Sequence, residues 1–248
     1  MSWISLEGAD NVRDLGGLPV AGGGRTRFGR LLRSGTLQDL TAADVAHLVN
    51  SIGVRTVVDL RLHDEAAREG SALSGIPAVH RIPLPLWSAG NVRSDAVADA
   101  REIDVLDHYL AFLAGSAENI VSAARVFAED ANLPVVFHCA AGKDRTGVLA
   151  AVVLDAIGVT SEAIVADYAL TTERLAQIRA RLAQFETYRT MMAAASRRIK
   201  GSGTADPDSM AAFLGQLRER HGGGRGFLAA HGMSDSELAA LRAVLVEQ

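Results

Sequence analysis

Residues 138–147, HCAAGKDRTG, contain the single cysteine of the chain, Cys139. A thiol attacks as a thiolate, so a nucleophilic cysteine needs positive potential around it. The small residues that follow it let a loop curl with its backbone N–H groups pointing inward, and a helix predicted to begin near Thr146 adds its positive end. The segment therefore predicts an anion-binding loop with a sulfur at its floor.

The predicted loop has the size and charge to hold a tetrahedral phosphate. Arg145 can bind two phosphate oxygens with its planar guanidinium, and donors that stabilise a thiolate also stabilise charge on the equatorial oxygens during phosphoryl transfer. Thr146 can donate its hydroxyl to the sulfur when a phosphocysteine is hydrolysed, and His138 can orient the loop through its ring nitrogens. The predicted phosphate-binding residues are Ala140, Ala141, Gly142, Lys143, Asp144 and Arg145.

The elements that must position this loop alternate between strands and helices. LPVVFHC (133–139) is apolar at successive positions, as expected of a central strand that is covered on both faces. The other predicted strands are 54–61 and 79–85, and the predicted helices before the loop are 41–52, 104–114 and 118–131. This order predicts an α/β fold with a central, mostly parallel sheet flanked by helices.

The last third of the chain is predicted to be helical. The predicted elements are a helix over 146–158, one or two long helices over 161–199, a loop over 201–209, and a helix over 234–247 that begins with a Ser234/Glu237 capping box. HGGGRG (221–226) is interpreted as a flexible connection between two helices.

Composition indicates an ordinary globular protein and argues against a nucleic-acid partner. Hydrophobic residues make up 48% and charged residues 22% of the 248 residues, which predicts a single domain over 1–248. The 25 basic and 29 acidic residues give a net charge of −4, so there is no overall basic field to hold nucleic acid.

The amino-terminal sequence and the cysteine count predict a cytoplasmic location. MSWISLEGAD has neither a basic start nor an apolar signal core, and a lone cysteine forms no internal disulfide. The longest apolar stretch, 148–159, is too short to span a bilayer and is interrupted by Asp155, so no transmembrane anchor is expected. Export by a route that needs no cleavable signal stays open.

HCAAGKDRTG fits the Cys-x5-Arg signature and resembles the protein tyrosine phosphatase superfamily, and its GKDRTG ending resembles a bacterial branch of it. The further segments that resemble this branch are NVRDLGG (11–17), LLRSGTL (31–37), TVVDLR (56–61) and DYALT (167–171). The resemblance implies a tyrosine phosphatase-like fold and hydrolysis of phosphotyrosine, often of phosphoserine or phosphothreonine, and sometimes of phosphoinositides. The implied partners are such a phosphorylated protein or phosphoinositide and the inorganic phosphate product.

Two aspartates are candidates for the acid that protonates the leaving group, since the chain has no Trp-Pro-Asp tripeptide. Asp144 is the leading candidate, because related bacterial enzymes carry an Asp at the matching place; the alternative is that it only caps the helix start. Asp59 shares a strand face with Arg61 and is either the acid or half of a structural ion pair that extends to Glu65.

Further residues are expected to support the site. Asp14 is predicted to be a buried, hydrogen-bonded brace beside the phosphate loop. Lys143 either reaches a second acidic group of the substrate, as a matching lysine does in phosphoinositide phosphatases, or is a solvated lysine that raises the local potential. Met191 and Met192 are either core residues or part of a helical lid within 160–200, which the resemblance suggests.

The sequence thus predicts a cysteine-dependent phosphatase with Cys139 as nucleophile and without a cofactor. The histidines, including His63, His80 and His108, have no compact metal-ligand spacing, so no metal site is predicted. The alternative is a catalytically weak module of the same fold that binds a phosphoprotein or a phosphoinositide. An arsenate reductase is less favoured because that chemistry usually needs further cysteines.

Overall fold

The computed structural model describes residues 3–87 and 102–248. The strands are β1 Arg13–Asp14, β2 Arg25–Thr26, β3 Leu31–Ser34, β4 Thr56–Asp59, β5 His80–Pro83, β6 Ile103–Asp104, β7 Val135–His138, β8 Ile199–Lys200 and β9 Val246–Glu247. The α-helices are α1 Ala42–Ala46, α2 His63–Glu69, α3 Val105–Gly115, α4 Ala117–Ala128, α5 Asp144–Ala156, α6 Ser161–Ala169, α7 Leu175–Leu182, α8 Glu186–Arg198, α9 Pro207–His221, α10 Gly223–Ala230 and α11 Asp235–Leu245.

A five-stranded sheet in the order β1-β3-β7-β4-β5 forms the centre of the fold. Its strands run parallel except at the edge, where β1 pairs antiparallel with β3. Along β7, Val135 and Phe137 enter one hydrophobic cluster and Val136 enters another. Both faces of the middle strand are therefore covered, which confirms the predicted fold and the predicted central strand.

The elements predicted before the loop are present, with shorter strands, whereas helix α2 and the short strands β1, β2 and β6 were not predicted. The predicted helix over 41–52 begins as α1, continues as a π-helical stretch, His47–Ile52, and ends at Gly53 in the left-handed conformation. Strands β4, β5 and β7 lie inside the predicted ranges. Strand β3 was not predicted, because two of its four residues, Arg33 and Ser34, are polar although both are buried.

The helical third differs from the prediction in several places. Helix α9 begins at Pro207, within the predicted loop over 201–209, and the predicted helix over 234–247 ends at Leu245, where β9 follows. The stretch 161–199 is broken into α6, a 3-10 segment over Leu170–Arg174, α7 and α8, although it holds neither Gly nor Pro. The interpretation of 221–226 as a flexible connection is wrong, because α10 begins at Gly223. A Cβ on Gly224 would lie 2.1 Å from the carbonyl oxygen of Val152, so the glycine lets α10 pack directly on α5.

Within residues 3–87 and 102–248, no single helix is long and apolar enough to cross a membrane. The pair α3 and α4 meets the criteria of length and composition together, but the chain bends by 76° between them.

The carboxylate of Asp44 in α1 fastens the amino-terminal segment that leads to the loop. It accepts hydrogen bonds from the backbone N–H groups of Glu7 (2.9 Å), Gly8 (2.8 Å) and Thr41 (3.0 Å). Burial would raise the pKa of Asp44, but the hydrogen bonds from the amides of Thr41, Glu7 and Gly8 outweigh it and hold the pKa below its ordinary value.

Replacing Asp44 by Ala is expected to lower the free energy of unfolding by about 2 kcal/mol at pH 7, because three backbone donors lose their acceptor. Since the pKa of Asp44 is lowered in the folded state, this contribution is complete above the unfolded value of about 4 and is lost as the pH falls below it. Urea unfolding at pH 7 and pH 3 measures both effects. The control Asp64→Ala, at an exposed position in the first turn of α2, should change little; equal losses in the two variants would contradict the assignment.

Candidate active site

Cys139 directly follows β7, at the carboxyl end of the middle strand, and is buried. The register places Ser34 of β3 and Asp59 of β4 on either side of His138. Helix α5 begins at Asp144, two residues before the predicted start, so Asp144 and Arg145 both lie in its first turn. The strand thus brings the sulfur to the positive end of a helix, as the sequence predicted.

Consecutive carbonyl groups of the loop are bound by donors outside it. The ring Nδ1 of His138 lies 3.0 Å from the Cys139 oxygen, and the Thr36 amide donates to the Ala140 oxygen (2.8 Å). The side-chain amide of Asn11 donates to the oxygens of Ala141 (3.1 Å) and Gly142 (2.9 Å). No described residue accepts a hydrogen bond from the amides of residues 140–143. The amides therefore remain available for an anion.

Gly142 is required by the shape of the loop. Its φ of 64° lies in the left-handed region, and a Cβ at this position would lie 2.4 Å from the Ser34 carbonyl oxygen. A side chain here would push the loop away from β3.

His138 holds the loop as a neutral ring. Burial, the largest effect, lowers its pKa to about 4, and the nearby Asp59 charge only partly opposes this. A neutral imidazole that bonds the Cys139 oxygen carries its proton on Nδ1. Thr146 is also fully buried, and its hydroxyl has no hydrogen-bond partner among the described residues.

Arg145 is paired with Glu65 of α2. Its Nη1 and Nη2 donate to the two carboxylate oxygens at 2.6 Å and 3.0 Å. Burial would raise the pKa of Glu65, but the charge and hydrogen bonds of Arg145 hold it below its ordinary value. Burial likewise opposes the charge of Arg145, yet Glu65 and then Cys139 keep its pKa above its ordinary value. One interpretation of the sequence is that Glu65 extends an ion pair between Asp59 and Arg61. In the structure, Glu65 instead pairs with Arg145.

Asp144 is the one ionisable side chain of residues 138–147 that is not buried. Its Oδ1 accepts a hydrogen bond from the Tyr109 hydroxyl at 2.7 Å and lies 3.3 Å from the Lys143 Nζ. Lys143 is itself buried, and its ammonium donates to the carbonyl oxygens of Ser202 and Thr204 (2.9 Å for the latter). The ammonium is therefore not the solvated group of one of the two predicted roles, and its contact with a second acidic group of a substrate stays a prediction.

Asp59 and Arg61 form the structural ion pair that was one of the two interpretations. Nε and Nη2 of Arg61 donate to the two oxygens of Asp59 at 3.0 Å and 2.8 Å, and Arg81 adds a bond of 2.7 Å. The side chains of Asp59 and Arg61 are fully buried. Burial would raise the pKa of Asp59, but the charge and hydrogen bonds of Arg61 and the hydrogen bond from Arg81 hold it well below its ordinary range. This geometry favours a fixed carboxylate over a proton donor.

Asp14 is a brace, as predicted, but in a different place. Its carboxylate accepts the amides of Gly16 (2.8 Å) and Gly29 (2.7 Å), which close the loop between β1 and β3. Asp14 does not brace the phosphate loop as predicted. Asn11 and Arg33 are the residues whose side chains bind the carbonyl groups of that loop. Arg33 donates to the Gly142 oxygen at 2.8 Å.

Asp167 of α6 joins the two arginines behind the loop. Arg13 Nε donates to one of its oxygens (2.8 Å) and Arg33 Nη1 to the other (2.5 Å), with all three side chains buried. Arg13 also donates to the Asn11 side-chain oxygen. The sequence does not predict this network, although its residues lie in segments that resemble the bacterial phosphatase branch, 11–17, 31–37 and 167–171.

Helices α7 and α8 cover one side of the loop. Ala140 and Ala141 belong to a small apolar cluster, separate from the main core, with residues of these helices and of the turn between them: Ile178, Leu182, Phe185, Tyr188, Met191 and Met192. Tyr188 also accepts a hydrogen bond from Arg61 (3.3 Å). Helix α6 instead packs against α5 and α9. Within the range of 160–200 predicted as a possible lid, the residues that contact Ala140 and Ala141 therefore lie in 178–192, and a lid stays a prediction.

Comparison with known proteins agrees with this geometry. Residues 4–247 match the tyrosine phosphatase family. The chain belongs to that family. The triple specificity protein phosphatase PtpB of Mycobacterium tuberculosis is 30% identical over 281 residues, covering 99% of this chain and all of that protein.

Other similar proteins are matched over part of their length. A tyrosine-protein phosphatase of Cupriavidus necator is 34% identical over 182 residues, which is 70% of this chain and 64% of that protein. The solved catalytic core of the PP-IP phosphatase SIW14 from Saccharomyces cerevisiae has a TM-score of 0.39 and 15% identity, with 68% of this chain and 78% of that chain covered.

Replacing Asp167 by Asn is expected to lower the free energy of unfolding by about 3 kcal/mol, because two buried guanidinium groups lose their counter-charge. Thermal or urea unfolding measures this. The control Asp130→Asn breaks the exposed pair with Arg30 and should cost less than about 0.5 kcal/mol. A wild-type stability for Asp167→Asn would show that the network is not needed.

Proposed function

We propose that this protein is a cysteine-dependent phosphatase that hydrolyses phosphate monoesters through a phosphocysteine intermediate. The observation that carries the proposal is the loop itself: the carbonyl groups of residues 139–142 are all bound, whereas the amides of residues 140–143 have no acceptor among the described residues and can bind an oxyanion next to Cys139. Such a ring of donors next to a helix start binds an oxyanion and stabilises the charge that develops in phosphoryl transfer.

In the first step, the Cys139 thiolate attacks the phosphorus atom. The Sγ–P bond forms as the ester P–O bond breaks, and the proton of Asp144 passes to the leaving oxygen. Nη1 and Nη2 of Arg145 are held by Glu65, while its Nε is not bonded to any described residue and can face the phosphoryl oxygens together with the loop amides. Asp144 is the acid in this proposal because it is reachable from solvent, whereas Asp59 is enclosed by arginines.

In the second step, water hydrolyses the phosphocysteine. The Asp144 carboxylate takes a proton from the water, whose oxygen attacks phosphorus, and the P–S bond breaks to restore the thiolate and release inorganic phosphate. Thr146 lies in the same helical turn, and its unpartnered hydroxyl can donate to the departing sulfur. No metal or cofactor enters either step.

Phosphotyrosine in proteins is the proposed primary substrate, with phosphoserine or phosphothreonine as further substrates. Membership of the tyrosine phosphatase family and the name of the mycobacterial relative, a triple specificity protein phosphatase, support this range. The ammonium of Lys143 is engaged by two backbone carbonyls, so a second phosphate on an inositol ring would need another cation. A phosphate-release assay that compares kcat/KM for phosphotyrosine, phosphoserine and phosphoinositide substrates tests this order of preference.

Replacing Cys139 by Ser is expected to abolish hydrolysis of p-nitrophenyl phosphate while inorganic phosphate or tungstate still binds, because the amides and Arg145 remain. Rapid quenching of the wild type with a phosphorylated substrate should trap phosphate on Cys139. Activity that survives in Cys139→Ser would overturn the mechanism. A wild-type protein that binds phosphotyrosine peptide without turnover would favour the alternative of a binding module.

A further inference from the structure

We propose that Tyr109, supported by Tyr168, is a positioning residue that holds the Asp144 carboxyl in place and leaves its Oδ2 as the oxygen that carries the acid proton. The inference rests on the proposed role of Asp144 as the acid. It starts from the 2.7 Å hydrogen bond from the Tyr109 hydroxyl to Asp144 Oδ1. Because Lys143 Nζ lies 3.3 Å from the same oxygen, Oδ1 is occupied from two sides.

The number of hydroxyl protons fixes the direction of the two hydrogen bonds that link Tyr168, Tyr109 and Asp144. Tyr109 has a single hydroxyl proton, and a carboxylate can only accept, so that proton is directed to Asp144. The hydroxyl of Tyr168 lies 2.5 Å from that of Tyr109 and must therefore donate to it. Burial first, and then the Asp144 charge, raise the pKa of both phenols, so both remain neutral donors at working pH.

The packing around Tyr109 fixes the position of its hydroxyl. The ring is fully buried in the main core and meets Tyr168 and Phe213 edge to face, with centroids 6.2 Å and 6.1 Å away. Gly147 of α5 contributes by its lack of a side chain, since a Cβ there would lie 3.0 Å from the Tyr168 ring. A rigid donor on α3 thus reaches a carboxyl group on α5.

This arrangement has a consequence for catalysis that simple burial would not have. A general acid is effective only when its proton points at the leaving oxygen, and a carboxyl that rotates freely spends time in unproductive orientations. Pinning Oδ1 removes that freedom. The effect should be large for a leaving group that needs protonation and small for one that leaves readily as an anion.

The test compares kcat/KM for phenyl phosphate, whose leaving group needs a proton, with that for p-nitrophenyl phosphate, whose leaving group needs it little. Tyr109→Phe, which keeps the ring, should lower kcat/KM about tenfold for phenyl phosphate and no more than about threefold for p-nitrophenyl phosphate. Asp144→Asn should show the same selectivity, with a loss of about a hundredfold for phenyl phosphate. Inhibition by inorganic phosphate should not change in Tyr109→Phe.

The double variant Tyr109→Phe/Asp144→Asn should lose no more than Asp144→Asn alone, because the tyrosine acts through the carboxyl group. Asp107→Asn, at an exposed position of the same helix, is the matched control and should retain wild-type values for both substrates. Equal losses of Tyr109→Phe on the two substrates, or a further loss in the double variant, would overturn the inference.

The acid role of Asp144 and the positioning role of Tyr109 are refuted by different results. If Asp144→Asn is selective for phenyl phosphate and Tyr109→Phe is not, the positioning role alone is refuted. If Asp144→Asn shows no selectivity, the proposed acid is wrong and the positioning role falls with it. If Tyr109→Phe does not fold, Tyr168→Phe decides: a smaller loss of the same selectivity supports the role, and an unselective loss or none overturns it.

Discussion

Burial of positive charge around a single sulfur is the constraint on which the rest of the structure depends. The loop needs cations to hold an oxyanion, yet a buried guanidinium is costly unless it is paired. The fold resolves this with four buried arginines, Arg13, Arg33, Arg61 and Arg145, and three buried carboxylates, Asp59, Glu65 and Asp167. Each arginine has a carboxylate partner among these three.

These ion pairs also fix the positions of the loop groups that the arginines contact. Asp167 fixes Arg33, and Arg33 fixes the Gly142 carbonyl, so the direction of a backbone amide in the loop depends on a helix that begins 22 residues after Cys139. Glu65 does the same for Arg145 from α2. Because paired charges in a dry interior have few alternative geometries, the loop is held in shape before any ligand binds, which is the condition for electrostatic catalysis.

The chemistry of the loop could be predicted from ten consecutive residues, because the requirements of a thiolate and of a phosphate are local. The fold class could be predicted as well, since apolar strand patterns alternate with helix patterns along the chain. The side chains that bind the loop residues and hold them in place could not be predicted. Tyr109, Asp167 and Glu65 lie 30, 28 and 74 residues from Cys139 in the sequence, and neither the resemblance of 167–171 nor the spacing of Glu65 from Asp59 indicates which side chain each residue binds. Strand β3 was missed for a related reason: its buried Arg33 has the pattern of an exposed residue until Asp167 is known to face it.

The same contrast supports Asp144 as the proposed acid. A residue that stabilises the fold through its charge must stay ionised and enclosed, as Asp59 does between Arg61 and Arg81. A residue that gives up and regains a proton in each turnover must be reachable by the leaving group and by water. Asp144 satisfies that second requirement at the rim of a site whose other charges are buried. Its neighbours Tyr109 and Lys143 restrain one oxygen without enclosing the carboxyl group. The degree of burial therefore separates a carboxylate that stabilises the fold, such as Asp59, from the one proposed to exchange a proton, Asp144.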